Sequence, residues 1–253
     1  MSLPFASAEY LLYSINMKNT VQLRPRLQAA ADMIKAANHA ADIGCDHGRL
    51  SVALLQQGRA KQVTASDISE PSLEKARLLA QKCSLSERMD TVVSDGISHL
   101  SIGSADAIII AGMGGELIAR IMGTDIDVAH SAKAIVMQPM RGVEELRLFL
   151  RENRFRITDE QLVLDAGRIY QIITVAPGEP DTIPSWFPKD EYSLGHMMFE
   201  KGDPLLLPLL EQYKAGHVRR LAQAERKGVS PDALLDIINR ADTLINLATE
   251  MKK

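Results

Sequence analysis

Three consecutive isoleucines, Ile108 to Ile110, stand near the middle of the chain and lead directly into the glycine-rich segment Ala111-Gly112-Met113-Gly114-Gly115. An uninterrupted apolar run of this kind is typical of a strand covered on both faces, which occurs mainly in parallel sheets flanked by helices. Because such a strand needs neighbours of the same kind, this feature favours an α/β fold over all other classes.

Strand-like and helix-like segments alternate along the chain around this run. Five strands are predicted at 40–43, 62–65, 91–93, 105–111 and 134–137, and apolar residues at helical spacing follow the first, second and fifth of them. Two further strand-like runs, 156–164 and 168–175, are joined by Asp165-Ala166-Gly167, which predicts an antiparallel hairpin. A parallel sheet that ends in an antiparallel hairpin resembles the class I Rossmann-like methyltransferase topology.

The C-terminal part has a different pattern. Apolar residues from Leu234 to Ala248 repeat at alternating spacings of four and three, which predicts a coiled-coil-like helical hairpin. We therefore divide the chain into four parts: a non-native or misassigned N-terminal extension at 1–16, the α/β methyltransferase domain at 17–178, a proline-rich linker at 179–203 and the helical hairpin at 204–253.

Composition narrows the classes of function. The net charge of −3 means that a nucleic-acid partner has to bind a local basic surface rather than the whole protein. The two cysteines, Cys45 and Cys83, have no metal-ligand spacing, so we expect no metal. The sequence lacks a signal peptide and a membrane-length apolar run, so we expect a cytoplasmic protein with no membrane association.

Unusual residues follow the predicted strands, at the edge where sheets of this type bind ligands. The first set is Asp42-Ile43-Gly44-Cys45-Asp46-His47-Gly48, whose glycines permit a tight turn without matching the pyrophosphate-binding G-x-G-x-x-G pattern. The second strand ends at Asp67, which is followed by Ile68. In sheets of this type, a carboxylate at this position accepts hydrogen bonds from both ribose hydroxyls. The third strand is followed by Asp95-Gly96, where a carboxylate could accept from an adenine amino group.

Several of these segments together resemble a known family. The pattern L-x-x-R-L at residues 23–27, the run from Asp42 to His47, the A-G-M-G-G segment and Gln138-Pro139 are similar to the bacterial tRNA (adenine-N1)-methyltransferase family TrmK. That family methylates adenine 22 of tRNA, and the resemblance extends from about Leu23 to the C-terminal helices. Met140 stands where the family usually has Asn, and Cys45 and Gly48 replace its usual Ser and Ala.

The resemblance implies S-adenosylmethionine as the cofactor and tRNA as the substrate. The residues expected to bind the cofactor are Asp42, Gly44, Cys45, Asp67, Ile68, Asp95, Gly96 and Gly112. The residues expected to bind the substrate are Arg24, Arg26, Met113, Gly114, Gly115, Gln138 and Pro139.

Asp46 and His47 are the candidate catalytic residues. N1 of adenine already carries a lone pair, so methyl transfer requires alignment and exclusion of water more than a strong base. The product is a cation, and Asp46 is the acid best placed to stabilise its developing charge. His47 could orient Asp46 or stack on the base. The alternative is that Asp46 caps the following helix and His47 is solvated.

Basic residues that could bind tRNA phosphates occur near Arg24 and Arg26, on the helix after the fifth strand and on the C-terminal hairpin. Two other hypotheses remain at this point. One is a methyltransferase for a small molecule or protein in which the hairpin serves dimerisation, and the other is a non-enzymatic scaffold. We expect a monomer or weak homodimer.

Overall fold

The computed structural model describes residues 20–180, 182–188, 192–226 and 230–251. The predicted extension at 1–16 lies outside these residues, so its assignment stays a prediction. The strands are β1 (Ala37–Ile43), β2 (Ala60–Asp67), β3 (Met89–Val93), β4 (Ala107–Met113), β5 (Ala134–Pro139), β6 (Phe155–Asp165) and β7 (Arg168–Pro177). The helices are α1 (Pro25–Asp32), α2 (Arg49–Gln56), α3 (Glu70–Lys82), α4 (Gly115–Gly123), α5 (Ile126–Ser131), α6 (Val143–Glu152), α7 (His196–Glu200), α8 (Leu206–Arg226) and α9 (Asp232–Glu250).

All seven strands form one sheet, in the order β3-β2-β1-β4-β5-β7-β6. The first five strands are parallel, whereas β7 is antiparallel to β5 and β6 is antiparallel to β7. The predicted parallel sheet with a terminal antiparallel hairpin is therefore confirmed. Strands β1 and β3 begin earlier than predicted, at Ala37 and Met89, because ladder pairing with β2 continues into polar residues beyond each apolar run.

The isoleucine run lies in the central strand β4 and is covered on both faces, as its composition indicated. Ile109 packs in a core with α1, α2 and α3, whereas Ile108 and Ile110 pack in a second core with α4, α5 and α6. All three side chains are at most 2% exposed. Burial of such side chains contributes roughly 1.5–3 kcal/mol each, so the two cores fix the sheet between its helical layers.

The C-terminal helices α8 and α9 form the predicted helical hairpin. Its base is attached to the sheet through a third apolar cluster, in which Leu210 of α8 and Leu244 of α9 join Leu162 of β6. The segment that we predicted to be a linker also contributes to this cluster, through Phe187, Leu194, Met198 and Phe199. The domain boundaries at 178 and 203 stay predictions.

The turn between β6 and β7 lies beside the ligand-binding edge of the sheet. Because β7 runs antiparallel to β5, the start of β7 at Arg168 is at the same edge as the carboxyl ends of β1 to β5. The turn residue Asp165 therefore belongs to this edge, although it is distant in sequence from the other residues there. Within the described ranges, no helix is long and apolar enough to cross a membrane.

Candidate functional site at the carboxyl edge of the sheet

The turn after β1 is built from three residues with left-handed backbone. Gly44, Asp46 and Gly48 have φ values of 69°, 51° and 69°. The backbone N–H groups of Gly44 and Cys45 both donate to the carbonyl of Ser66, at 2.8 and 2.9 Å, which ties this turn to the end of β2. Glycine adopts positive φ without strain, and Asp is among the residues that tolerate it best.

Asp42 lies beneath this turn and is 2% exposed. Its carboxylate accepts a hydrogen bond from the hydroxyl of Ser51 on α2. Burial raises the pKa of Asp42 to about 6, and the nearby charge of Asp67 adds to the effect. A cationic or hydrogen-bonding partner would therefore stabilise the ionised form of Asp42.

Asp67 joins the turns that follow β1 and β2. One carboxylate oxygen accepts from the backbone N–H of Asp46 at 3.0 Å, and the other accepts from the N–H of Ser69 at 2.9 Å. The cap of α3 is provided separately by the Ser69 hydroxyl, which accepts from Ser72 N–H. Because each carboxylate oxygen can accept two hydrogen bonds, Asp67 is oriented by the backbone and still has capacity for two ligand hydroxyls.

Two apolar side chains next to these carboxylates are exposed. Ile68 is 74% exposed and Val93, at the end of β3, is 56% exposed. Asp95 is also exposed, and Gly96 turns the chain behind it with a φ of 66°. Val93 was absent from the sequence-based set, although its position as the last apolar residue before Ser94-Asp95-Gly96 was the available signal.

The thiol of Cys45 is buried beside the same acids. Burial raises the pKa of this thiol far above its usual range, and the charges of Asp42 and Asp67 raise it further. A thiol in this state is unreactive, so Cys45 contributes its backbone and its small volume to the turn.

The A-G-M-G-G segment forms the end of β4 and the start of α4. Gly112 has a φ of 80° and lies at an irregularity where the register with β5 shifts between Ala111 and Met113. The Met113 side chain covers Gly44, since a Cβ on Gly44 would lie 2.0 Å from the Met113 Cε. The β4 loop and the β1 turn are therefore in contact across the edge of the sheet.

Gly114 and Gly115 allow two further close approaches. A Cβ on Gly115 would lie 1.7 Å from the carbonyl oxygen of Gly142, and Gly115 N–H donates to Arg141 at 2.7 Å. The side chain of Arg141, an exposed residue, lies over Gly114 at 3.8 Å from the position of its Cβ. Arg141 precedes α6 and was not among the residues expected at this site, and the structure brings it there.

Gln138 is 0% exposed and lies below the surface of the site. Its side-chain oxygen accepts from Gly112 N–H at 3.1 Å and from Arg26 Nη1 at 3.0 Å. The direct tRNA contact predicted for Gln138 is inconsistent with this burial, because its amide is enclosed between β4, β5 and α1. Pro139, which follows it, is also buried.

Arg24 and Arg26 both contact Asp165. The distances are 3.1 Å from Arg24 Nη2 to Oδ1 and 3.4 Å from Arg26 Nε to Oδ2. The Arg24 side chain is 59% exposed and that of Arg26 is 18% exposed. Arg24 remains accessible to a substrate, whereas Arg26 is mainly engaged inside the protein.

Asp46 and His47 lie on the side of the turn that contacts the end of β2 and α3. The Asp46 carboxylate is 73% exposed and is 2.5 Å from His47 Nδ1. His47 Nε2 in turn lies 3.1 Å from Lys75 Nζ on α3. The pair of Asp46 and His47 is therefore connected to α3 through Lys75.

Other features lie outside this site. A partly open cavity of about 90 Å³ lies between α6, β6, Pro180, Ile183, Phe187 and residues 192–197. Its walls are mostly apolar, and the ion pair of Arg147 with Glu160 is buried beside it. Arg147 was counted among the basic residues that could bind tRNA, but its burial removes it from that set. Within the described ranges, no group of three or more His, Cys, Asp or Glu residues could hold a metal ion.

The sequence of this chain is similar to those of known methyltransferases. A family model described as a methyltransferase domain matches residues 23–173. The tRNA (adenine(22)-N(1))-methyltransferase of Bacillus subtilis is 30% identical over 163 residues, which are 64% of this chain and 68% of that protein.

Two solved structures share the fold. The crystal structure of the B. subtilis m1A22 tRNA methyltransferase TrmK has a TM-score of 0.74 at 23% identity and covers 92% of this chain and 100% of that one. The structure of M. capricolum TrmK with the cofactor product S-adenosyl-homocysteine has a TM-score of 0.74 at 23% identity, with coverage of 90% and 98%. The likeness extends over the helical hairpin as well as the sheet, because more than the first 178 residues are needed to reach this coverage.

Proposed function

This chain belongs to the tRNA (adenine(22)-N(1))-methyltransferase family, and we propose that it transfers the methyl group of S-adenosylmethionine to N1 of adenine 22 in tRNA. The observation that carries the proposal is the convergence of Asp42, Asp67 and Asp95 with the β4 glycine loop at one edge of the sheet. Three carboxylates next to a glycine-rich loop are suited to bind a nucleoside that bears a positive charge.

We assign the cofactor to the surface formed by the ends of β1, β2 and β3. Asp67 is oriented to accept the two ribose hydroxyls, and Asp95 to accept from the adenine amino group. The exposed side chains of Ile68 and Val93 offer apolar contact to the faces of the adenine ring. The turn at Gly44 lies above Asp42, whose carboxylate complements the ammonium group at the amino-acid end of the cofactor. When bound there, S-adenosylmethionine supplies an electrophilic methyl group on a sulfonium.

We assign the target adenine to the neighbourhood of Met113 and Gly114. Gly112 is exposed and Gly114 is half-buried, so a flat base can approach the backbone there without obstruction by a Cβ, whereas Gly115 is buried against Gly142. N1 lies on the pairing edge of adenine, so the base has to be unpaired or withdrawn from its stack. The loop then has to align N1 with the methyl group and to exclude water, and backbone carbonyls of the loop can stabilise the cationic product.

We propose that the tRNA lies across this edge and against the helical hairpin. Arg24 and Arg141 are exposed near the β4 loop, and Arg219 and Arg220 are exposed on α8. Phosphate contacts by such side chains provide most of the affinity of proteins for nucleic acids. A tRNA substrate is consistent with a cytoplasmic location, and we propose that the enzyme acts as a monomer or weak homodimer.

The decisive experiment uses S-adenosylmethionine labelled in the methyl group. The protein is incubated with unmodified tRNA transcripts, either wild type or with adenine 22 replaced by guanine, and the RNA is digested to nucleosides. We expect labelled N1-methyladenosine from the wild-type transcript and none from the substituted one. Label in a different nucleoside, or equal label in both transcripts, would reject the proposed function or its position.

A further inference from the structure

Asp165 is a buried carboxylate in the turn between β6 and β7. Its side chain is 5% exposed, and its two oxygens lie 3.1 Å from Arg24 and 3.4 Å from Arg26. Burial of a carboxylate is unfavourable unless cations or hydrogen bonds compensate for the lost water. Arg24, the residue before α1, donates a hydrogen bond to Oδ1, and Oδ2, which has no hydrogen-bond donor, is compensated by the charge of Arg26 in the first turn of α1. This ion pair holds Asp165 and Arg26 together at the edge of the sheet.

Arg26 extends from Asp165 to the β4 loop. Its Nε faces Asp165, and its Nη1 donates to the side-chain oxygen of Gln138 at 3.0 Å. The same Nη1 lies 3.5 Å from the position that a Cβ on Gly112 would occupy. The planar guanidinium group can reach both partners at once, and a lysine ammonium group, as a single point charge, is poorly suited to doing so.

Gln138 completes the connection by accepting from Gly112 N–H at 3.1 Å. Gly112 lies where the register between β4 and β5 shifts, so the side chain of Gln138 satisfies a backbone donor at an irregular point of the ladder. A continuous series of contacts therefore runs from Asp165 through Arg26 and Gln138 to the backbone of the β4 loop.

We propose that Asp165 and Arg26 are positioning residues for methyl transfer, which act by holding the Gly112 backbone through Gln138. This inference rests on the proposed function, because it assumes that the β4 loop aligns the target base. Misplacement of a reacting group by about 1 Å can lower a rate a hundredfold, so loss of the connection affects turnover before it affects cofactor binding.

The first test is a set of three variants, Asp165→Asn, Arg26→Gln and Arg26→Lys, assayed with saturating tRNA. We expect kcat to fall about tenfold or more in each, with KM for S-adenosylmethionine within about threefold of wild type. Arg26→Lys retains the charge but not the two-ended contact, so wild-type turnover in this variant would overturn the proposal. A rise in KM with unchanged kcat would also overturn it.

The second test measures the loop without using activity. Hydrogen–deuterium exchange of peptides that contain Gly112 should be faster in Asp165→Asn than in wild type. The matched control is Asp106→Asn, which breaks an ion pair with Lys133 before β4, at the opposite edge of the sheet. The control should leave turnover and Gly112 exchange unchanged, and equal acceleration in both variants would assign Asp165 a general structural role.

The third test separates positioning from phosphate binding. A phosphate contact by Arg26 would contribute about one unit to the slope of log affinity against log salt concentration for tRNA. We expect Arg26→Gln to leave this slope unchanged, and a reduced slope would overturn the proposal. If the wild-type enzyme makes no N1-methyladenosine, the proposed function fails on its own, while the exchange experiment still reports on the connection.

Discussion

The Cα of Gly44 lies directly under the side chain of Met113, so that a Cβ at position 44 would be 2.0 Å from the Met113 Cε. This contact joins the turn after β1, which we assign to the cofactor, to the β4 loop, which we assign to the target base. A glycine is required at position 44 for two separate reasons, its φ of 69° and the proximity of Met113. Substitution can distinguish these reasons because the chain offers a matched glycine elsewhere.

We predict that Gly44→Ala lowers turnover more than it lowers stability. The left-handed backbone costs alanine about 1–2 kcal/mol, and the Met113 side chain is flexible enough to move away from the new methyl group. The matched control is Gly58→Ala, because Gly58 has a φ of 67° with no atom within 4 Å of its Cβ position. Both variants should lose similar unfolding free energy in urea, and only Gly44→Ala should lose activity. Equal activities would show that the Met113 contact is unimportant.

We predict that Asp67→Ala weakens binding of S-adenosylmethionine by roughly 10- to 150-fold, because loss of a charged acceptor typically costs about 1.5–3 kcal/mol. Calorimetric titration measures this change directly. Asp67 also accepts from the backbone of Asp46 and Ser69, so circular dichroism and a thermal melt have to establish that the variant is folded. Unchanged affinity in a folded variant would reject the assignment of Asp67 to the ribose.

We predict that Asp42→Asn stabilises the protein without ligand at pH 7 and weakens cofactor binding. Burial raises the pKa of Asp42 from 3.8 to about 6, so the folded state binds this proton more tightly than the unfolded state. The stabilising contribution of the proton is present below about pH 4 and is lost as the pH rises through 6. At pH 7 the ionised group then costs on the order of 2–3 kcal/mol.

The pH dependence provides the check on this assignment. In urea unfolding, the advantage of Asp42→Asn over wild type should be largest at pH 7 and should disappear near pH 4. The cofactor carries a cationic ammonium group, so affinity of the wild type should fall between pH 7 and pH 5, and that of the variant should not. A constant stability difference across this range would mean that folding does not raise the pKa of Asp42 above its value in the unfolded chain.

The fold was predictable because its signals are local. Ile108 to Ile110 indicate a doubly covered strand through their own composition, and Gly44, Asp67 and Asp95 mark strand ends through their positions after apolar runs. These features depend on residues that are close in sequence, and parallel strands bring their carboxyl ends together at one edge.

The parts of the site that were not predictable depend on contacts between distant segments. Gln138 and Arg26 are 112 positions apart, and their hydrogen bond depends on the register shift at Gly112. Asp165 resembled an ordinary turn residue, since its burial by α1 leaves no signal in its own neighbourhood. The contact of His47 with Lys75 joins the turn after β1 to α3, and neither segment reveals it alone.

We predict that Arg219→Glu combined with Arg220→Glu weakens tRNA binding and leaves cofactor binding unchanged. Both side chains are exposed on α8, beyond the apolar base of the hairpin that contains Leu210 and Leu244, so the fold should tolerate the change. Filter binding at several salt concentrations should show a lower affinity and a shallower salt dependence. The matched control is Lys35→Glu combined with Lys61→Glu, two exposed lysines near the amino ends of β1 and β2 whose replacement changes the net charge by the same amount, and an equal loss there would indicate only an effect of net charge.

The last prediction concerns Asp46, the acid that sequence reasoning favoured for stabilising the adenine cation. That role predicts a loss of roughly a hundredfold to a thousandfold in turnover for Asp46→Asn. In the structure the carboxylate is 73% exposed and is paired with His47, which in turn contacts Lys75 on α3. Water and these neighbours screen its charge, and asparagine tolerates the positive φ of this position. We therefore expect single-turnover rates of Asp46→Asn within about threefold of wild type. The matched control is His47→Ala in the same pair, which should have a similarly small effect on the single-turnover rate. A hundredfold loss of rate in Asp46→Asn alone would restore Asp46 as the catalytic acid and exclude loop carbonyls as the main stabiliser of the cation.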